Sequence, residues 1–187
     1  MPRISLFVAV LAFFLVVGLA ACQQPVPAPP LASGQAREGL ETWNNIGKKL
    51  IEMAEDFPED KYGFRPTKEV RSFGELIRHV AAVNFRYVRQ AQGREYKPEE
   101  FAMENFKSKA DLAALIKSSY EEGAELIGQA SDAQMVEAVK NPYGDYTTSR
   151  YAYWMQGVEH AAEHYGNLVV YYRLNRLVPP VSRPRSQ

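Results

Sequence analysis

Apolar and small residues recur along this chain at intervals of three and four. Leu40, Trp43, Gly47, Leu50, Ala54 and Phe57 make the first run, which is one face of a helix. Phe57-Pro58 closes it, because the residue before a proline is driven out of helical angles. The second run is Phe73, Leu76, Val80, Val83 and Tyr87. It opens on Ser72-Phe73-Gly74-Glu75, a capping box in which Ser72 and Glu75 satisfy each other's free backbone donors, and Gly93 is its expected stop. The third starts at Ser108, with Asp111 three residues on, and its inner face is Leu112, Ile116, Ser119, Gly123, Leu126 and Ala130. Gly123 is a weak helix former that lets a neighbouring element come close. The fourth spans about Arg150 to Asn175, with Trp154, Gly157, Ala161, His164, Leu168 and Tyr171 along one stripe. Residues 131–149, carrying Pro142 and Gly144, read as a long loop with a short helical turn at "SDAQM". Four long amphipathic helices without strand alternation predict an all-α four-helix bundle.

Length and charge narrow this picture. A chain of 187 residues suits one such domain. Lys+Arg and Asp+Glu both number 22, so the basic excess that marks nucleic-acid binding is missing. The start of the chain is different in kind. Arg3 precedes an uncharged run from Ile4 to Ala21, then Cys22: a basic start, an apolar core and small residues before a cut, the layout of a secretory signal. Leu19-Ala20-Ala21-Cys22 resembles the bacterial lipobox, which implies cleavage before Cys22 and acylation of its thiol. Several acyl chains hold a protein on a membrane where one is marginal. An uncleaved anchor helix is the alternative, since the run is just long enough to span a bilayer. Either way the remainder is expected outside the cytoplasm, and Gln23, in place of a retaining aspartate, favours the outer membrane where the host has one. The expected organisation is a signal peptide over 1–21, the lipidated Cys22 with a Pro-rich tether to residue 34, the bundle over 35–183, and a tail over 184–187. Cys22 is the only cysteine, so once lipidated it leaves no disulfide, thiolate ligand or cysteine nucleophile.

The candidate chemistry lies in three histidines. "EHAAEH", residues 159–164, places His160 and His164 four apart, where β-carbons on a helix lie about 6 Å apart on one face. His160 follows Gly157 by three and His164 precedes Leu168 by four, so both share the inner stripe. His79 follows Leu76 by three and precedes Val83 by four, so it also faces inward. One inward histidine is ordinarily a hydrogen-bonded core residue. Two at this spacing and a third on another helix favour a shared ion, and three imidazoles suit Zn²⁺, Ni²⁺ or Fe²⁺ while leaving a coordination position open. The same stretch spells H-x-x-E-H, a zinc-protease signature, but "YGNLVVYYRLNRLVPPVSRPRSQ" after it carries no acidic residue to serve as the downstream ligand. Glu163 stands as a candidate general base or partner of a ligand, or as an ordinary surface glutamate. Asn84, Tyr165 and Tyr171 are candidate pocket residues, or side chains with hydrogen bonds inside the bundle.

On the segments 57–85 ("FPEDKYGFRPTKEVRSFGELIRHVAAVNF") and 157–183 ("GVEHAAEHYGNLVVYYRLNRLVPPVSR"), the chain resembles the DinB-like family of metal-binding four-helix bundles. That family's pattern, one histidine on the second helix and an H-x-x-x-H pair on the fourth, falls on His79, His160 and His164. The resemblance implies an up-down-down-up course, with residues 94–107 as the long return connection, a divalent metal and often a homodimer. Relatives include transferases and an isomerase that use low-molecular-weight thiols. Export sets this chain apart, because cytosolic thiol cofactors are scarce outside the cell. Two functions remain open: a metal-dependent transferase or hydrolase acting on a small substrate, and a non-catalytic, membrane-tethered metal-binding or interaction module.

Overall fold

The computed structural model describes residues 34–184; the signal-like run, Cys22, most of the tether and the end of the tail lie outside them. Four long helices form the body: α1 (Gln35–Asp56), α2 (Phe73–Ala91), α3 (Lys109–Gln129) and α5 (Arg150–Leu174). A one-turn helix, α4 (Asp132–Met135), and a hairpin of β1 (Ala138–Lys140) and β2 (Thr147–Ser149) link α3 to α5. No helix among the described residues is long and apolar enough to cross a membrane.

The helix ends are written locally. The amide of Glu75 donates to the Ser72 hydroxyl at 3.3 Å, and the amide of Ser72 donates to Glu75 Oε2 at 2.8 Å, so the capping box forms as the spacing predicts. Ser108 and Asp111 repeat it on α3, at 3.1 and 2.9 Å. Gly93, with φ of 67°, stops α2; this left-handed conformation costs glycine little.

Side-chain contacts fix the course of the chain. The Phe57 and Phe73 rings stack with centroids 3.8 Å apart, so the end of α1 meets the start of α2. Lys109 Nζ donates to the Phe57 carbonyl at 2.9 Å, which brings the start of α3 to the same place. The Tyr172 hydroxyl donates to the Met53 carbonyl at 3.0 Å, so α5 finishes there too. Helices α1 and α5 therefore run toward this end and α2 and α3 run away from it, the up-down-down-up course. Both α3 and α5 pack against both α1 and α2, which sets α1 and α2 on a diagonal.

Trp43, fully buried, occupies the centre. Its indole N–H donates to the Tyr120 carbonyl at 3.0 Å and its ring meets Trp154 edge-on at 5.5 Å. A β-carbon on Gly123 would lie 2.4 Å from the Trp43 ring, so the glycine is what admits the indole.

Two expectations change in detail. Ile127 is buried where Leu126 was expected, and Leu40 and Val83 are only half-buried. The α3 stripe runs through Ile116, Tyr120, Gly123 and Ile127 because the ring of Tyr120 packs against Trp43. The second difference is the hairpin within the expected loop. Ala138 pairs with Ser149, Val139 with Thr148 and Lys140 with Thr147. Strands of three residues are too short to display an alternation, which needs four or more positions to read.

Candidate metal centre

His79 lies near the start of α2, flanked by buried Leu76 and Val80; His160 and His164 lie on successive turns of α5, on either side of buried Ala161. The antiparallel contact of α2 with α5 brings the three imidazoles together. His160 Nε2 is 3.1 Å from His79 Nε2 and 3.1 Å from His164 Nε2, and one ligand atom from each residue falls within 4.8 Å of the others. One ring nitrogen carries a proton or a lone pair, so His160 Nε2 cannot donate to one neighbour while accepting from the other. A shared cation satisfies all three lone pairs, and tetrahedral ligation at about 2.0–2.1 Å sets ligand nitrogens roughly 3.3 Å apart, close to the spacing seen.

The electrostatics favour the neutral, ligand-competent form. Burial, then the positive charge of Arg71 and the neighbouring imidazoles, lowers His79 to about 3. Burial, then His164 and Arg71, lowers His160 to about 4. Burial and Arg71 lower His164 as well, with Glu163 acting in the opposite direction.

His164 of the triad lines a cavity of about 610 Å³, together with Pro66, Glu69, Val70 and Arg71 of the α1–α2 loop, Leu76 of α2, and Asn167, Val170 and Tyr171 of α5. That volume lies within the range of small-molecule sites. The loop is held as a wall. Arg65 binds Glu75 at 2.5 Å and the Val70 carbonyl at 2.9 Å, the Phe73 amide donates to the Phe64 carbonyl at 3.0 Å, and the Tyr171 hydroxyl donates to the Arg71 carbonyl at 2.5 Å. Asn167 Nδ2 sits 3.4 Å from His164 Nδ1, near the ring nitrogen that faces away from the triad.

Of the other residues singled out from sequence, Tyr171 lines the cavity. Tyr165 is half-buried with the Lys49 ammonium 5.8 Å from its ring centroid, toward α1. Asn84 is fully buried and donates to the Ser119 hydroxyl of α3 at 3.2 Å, away from the histidines. Glu163 is exposed. Sequence reasoning passed over Arg71 and Asn167. Asn167 carries a signal, three residues after His164 and so beside it on the helix; Arg71 sits in a loop without periodicity.

The comparisons with known proteins agree with this architecture. Residues 44–168 match the family model described as the DinB superfamily. The fold is similar to the crystal structure of a DinB-like protein from Bacillus subtilis, with a TM-score of 0.62 and 21% identity, over 80% of this chain and 99% of that one. Among curated proteins, none matches this chain.

Proposed function

The chain belongs to the DinB superfamily, and we propose that it binds a divalent metal, Zn²⁺, Ni²⁺ or Fe²⁺, at His79, His160 and His164 and uses it as a transferase or hydrolase of a small substrate. The observation that carries this reading is the convergence of three Nε2 atoms, with His164 also lining a cavity large enough for a small molecule. Bound there, a divalent cation supplies Lewis acidity toward an oxygen or sulfur of the substrate. The protein's own part is to keep the imidazoles unprotonated through burial and the Arg71 charge, to hold the loop wall through Tyr171 and Arg65, and to place Asn167 beside His164.

Replacing His79, His160 and His164 together by alanine in untagged protein is expected to abolish stoichiometric metal by elemental analysis; undiminished metal would refute the centre. The catalytic part is tested by screening the metal-loaded protein against thiol-transfer, ester and amide substrates. Turnover that disappears in His160→Ala supports it, and turnover indifferent to that change removes it.

A non-catalytic reading is favoured by a separate observation. Glu163 is exposed, and the Tyr171 hydroxyl is engaged by the Arg71 carbonyl, so neither supplies a free acid–base group over the triad. Either reading fits a lipid-anchored envelope protein held by Cys22. On that proposal Cys22→Ser moves the protein from the membrane to the soluble fraction; an unchanged distribution counts against the anchor.

A further inference from the structure

An unpaired guanidinium stands at the edge of the cavity beside the triad. Arg71 is exposed and lines that cavity with Glu69, His164, Asn167 and Tyr171. Arg65, Arg89, Arg150 and Arg183 are each tied to a carboxylate, at 2.5 to 3.1 Å. The Arg71 guanidinium makes no ion pair or hydrogen bond among the described residues. Its backbone, in contrast, is fixed, since the Tyr171 hydroxyl donates to its carbonyl at 2.5 Å. The result is a charged fork on an anchored stem, directed at no protein partner. Its charge reaches the metal ligands, because it joins burial in lowering all three histidines.

The lining also limits the size of the charge to be matched. The carboxylate among the lining residues is Glu69, 3.8 Å from the Lys68 ammonium. A guanidinium pairs with a carboxylate through two parallel N–H···O bonds. A second negative charge on the ligand would face Glu69, the neighbouring charged residue in this wall.

Resting on the metal reading above, we infer that Arg71 is the substrate-binding residue of this cavity and that the substrate is a small monocarboxylate. The carboxylate forks onto Arg71, and the rest of the molecule, which the cavity holds, carries an oxygen or sulfur donor toward His79, His160 and His164. This assigns the substrate class to the one free cation that the cavity lining holds among the described residues.

The test uses two thiols that differ in the carboxylate. Cobalt(II)-loaded protein, its metal content set by elemental analysis, is titrated with mercaptoacetate and with 2-mercaptoethanol, and thiolate-to-cobalt absorption is read. The wild-type protein is expected to favour mercaptoacetate about tenfold or more, the scale of one hydrogen-bonded ion pair. Arg71→Gln is expected to lose that preference while keeping its cobalt and its affinity for 2-mercaptoethanol, and Arg71→Lys to keep part of it. A cobalt-replete Arg71→Gln protein with an undiminished preference overturns the assignment. So does competition by inorganic phosphate at lower concentrations than acetate, which would make the ligand a phosphate. A wild-type protein that takes up no cobalt overturns the metal reading itself, and elemental analysis registers that before any thiol is added.

Discussion

At the scale of single residues, Gly123 has the clearest consequence. Its missing β-carbon is the space that the Trp43 ring fills, and that indole is fully buried with its N–H bonded to Tyr120. Gly123→Ala would place a methyl 2.4 Å from the ring. The backbone gain of alanine in a helix, about 1 kcal/mol, is outweighed by the overpacking, so a net loss of about 1–2 kcal/mol is expected, read as a lower urea midpoint. A neutral or stabilising outcome would mean that Trp43 has another position open to it. The histidines are the other residues that speak plainly. Their i,i+4 spacing and inward register follow from helical period alone, whereas the 3.1 Å approach of His79 to His160 depends on how two helices meet. Their capacity to bind an ion was thus legible, and the companions that shape the cavity were not. Arg71 lies in a loop whose place over the triad is fixed by Tyr171, 100 positions along the chain, and local spacing carries no trace of it.

At the scale of elements, the start of α2 carries both a cap and the cavity wall. Ser72 and Glu75 satisfy each other's amides, and Glu75 also holds Arg65 of the loop. Ser72→Ala is expected to cost about 1 kcal/mol, seen as a fall in Tm. Tyr171→Phe removes the hydroxyl that pins the Arg71 carbonyl. Faster limited proteolysis within residues 66–71 is expected, with metal content retained, and an unchanged cleavage rate would show that Arg65 alone secures the loop. The segment between α3 and α5 shows where element-level reading stops. Met135 is fully buried and Asn141 bonds Gln156 of α5 at 2.5 Å, so the hairpin is held by its packing on the bundle. Three-residue strands have little preference of their own for that shape.

At the scale of the whole molecule, the centre couples folding to pH. In the metal-free protein His79 and His160 titrate near 3 and 4, because the fold buries them and sets Arg71 beside them; in the unfolded chain they titrate near 6.5. As pH falls below about 6.5 the unfolded chain takes up protons that the folded one refuses, so stability declines, and it goes on declining toward the folded values. Melting of chelator-treated protein should therefore weaken between about pH 7 and 5, above most carboxylate titrations. A variant with glutamine at all three positions should change less over that range, and equal slopes would remove the coupling. Added metal should raise Tm at pH 7, and the increment should shrink as protons compete for the imidazoles.

The sequence by itself determined the four long helices, their caps and the inward register of the three histidines, because helical period and capping chemistry act over a few residues. It also carried the family pattern on which the up-down-down-up course was expected. The tertiary structure alone decided that α2 and α5 meet where their histidines coincide, that the α1–α2 loop walls a cavity there, and that Arg71 stands unpaired within it among the described residues. Those features depend on contacts between positions 80 to 100 residues apart, which no local periodicity encodes.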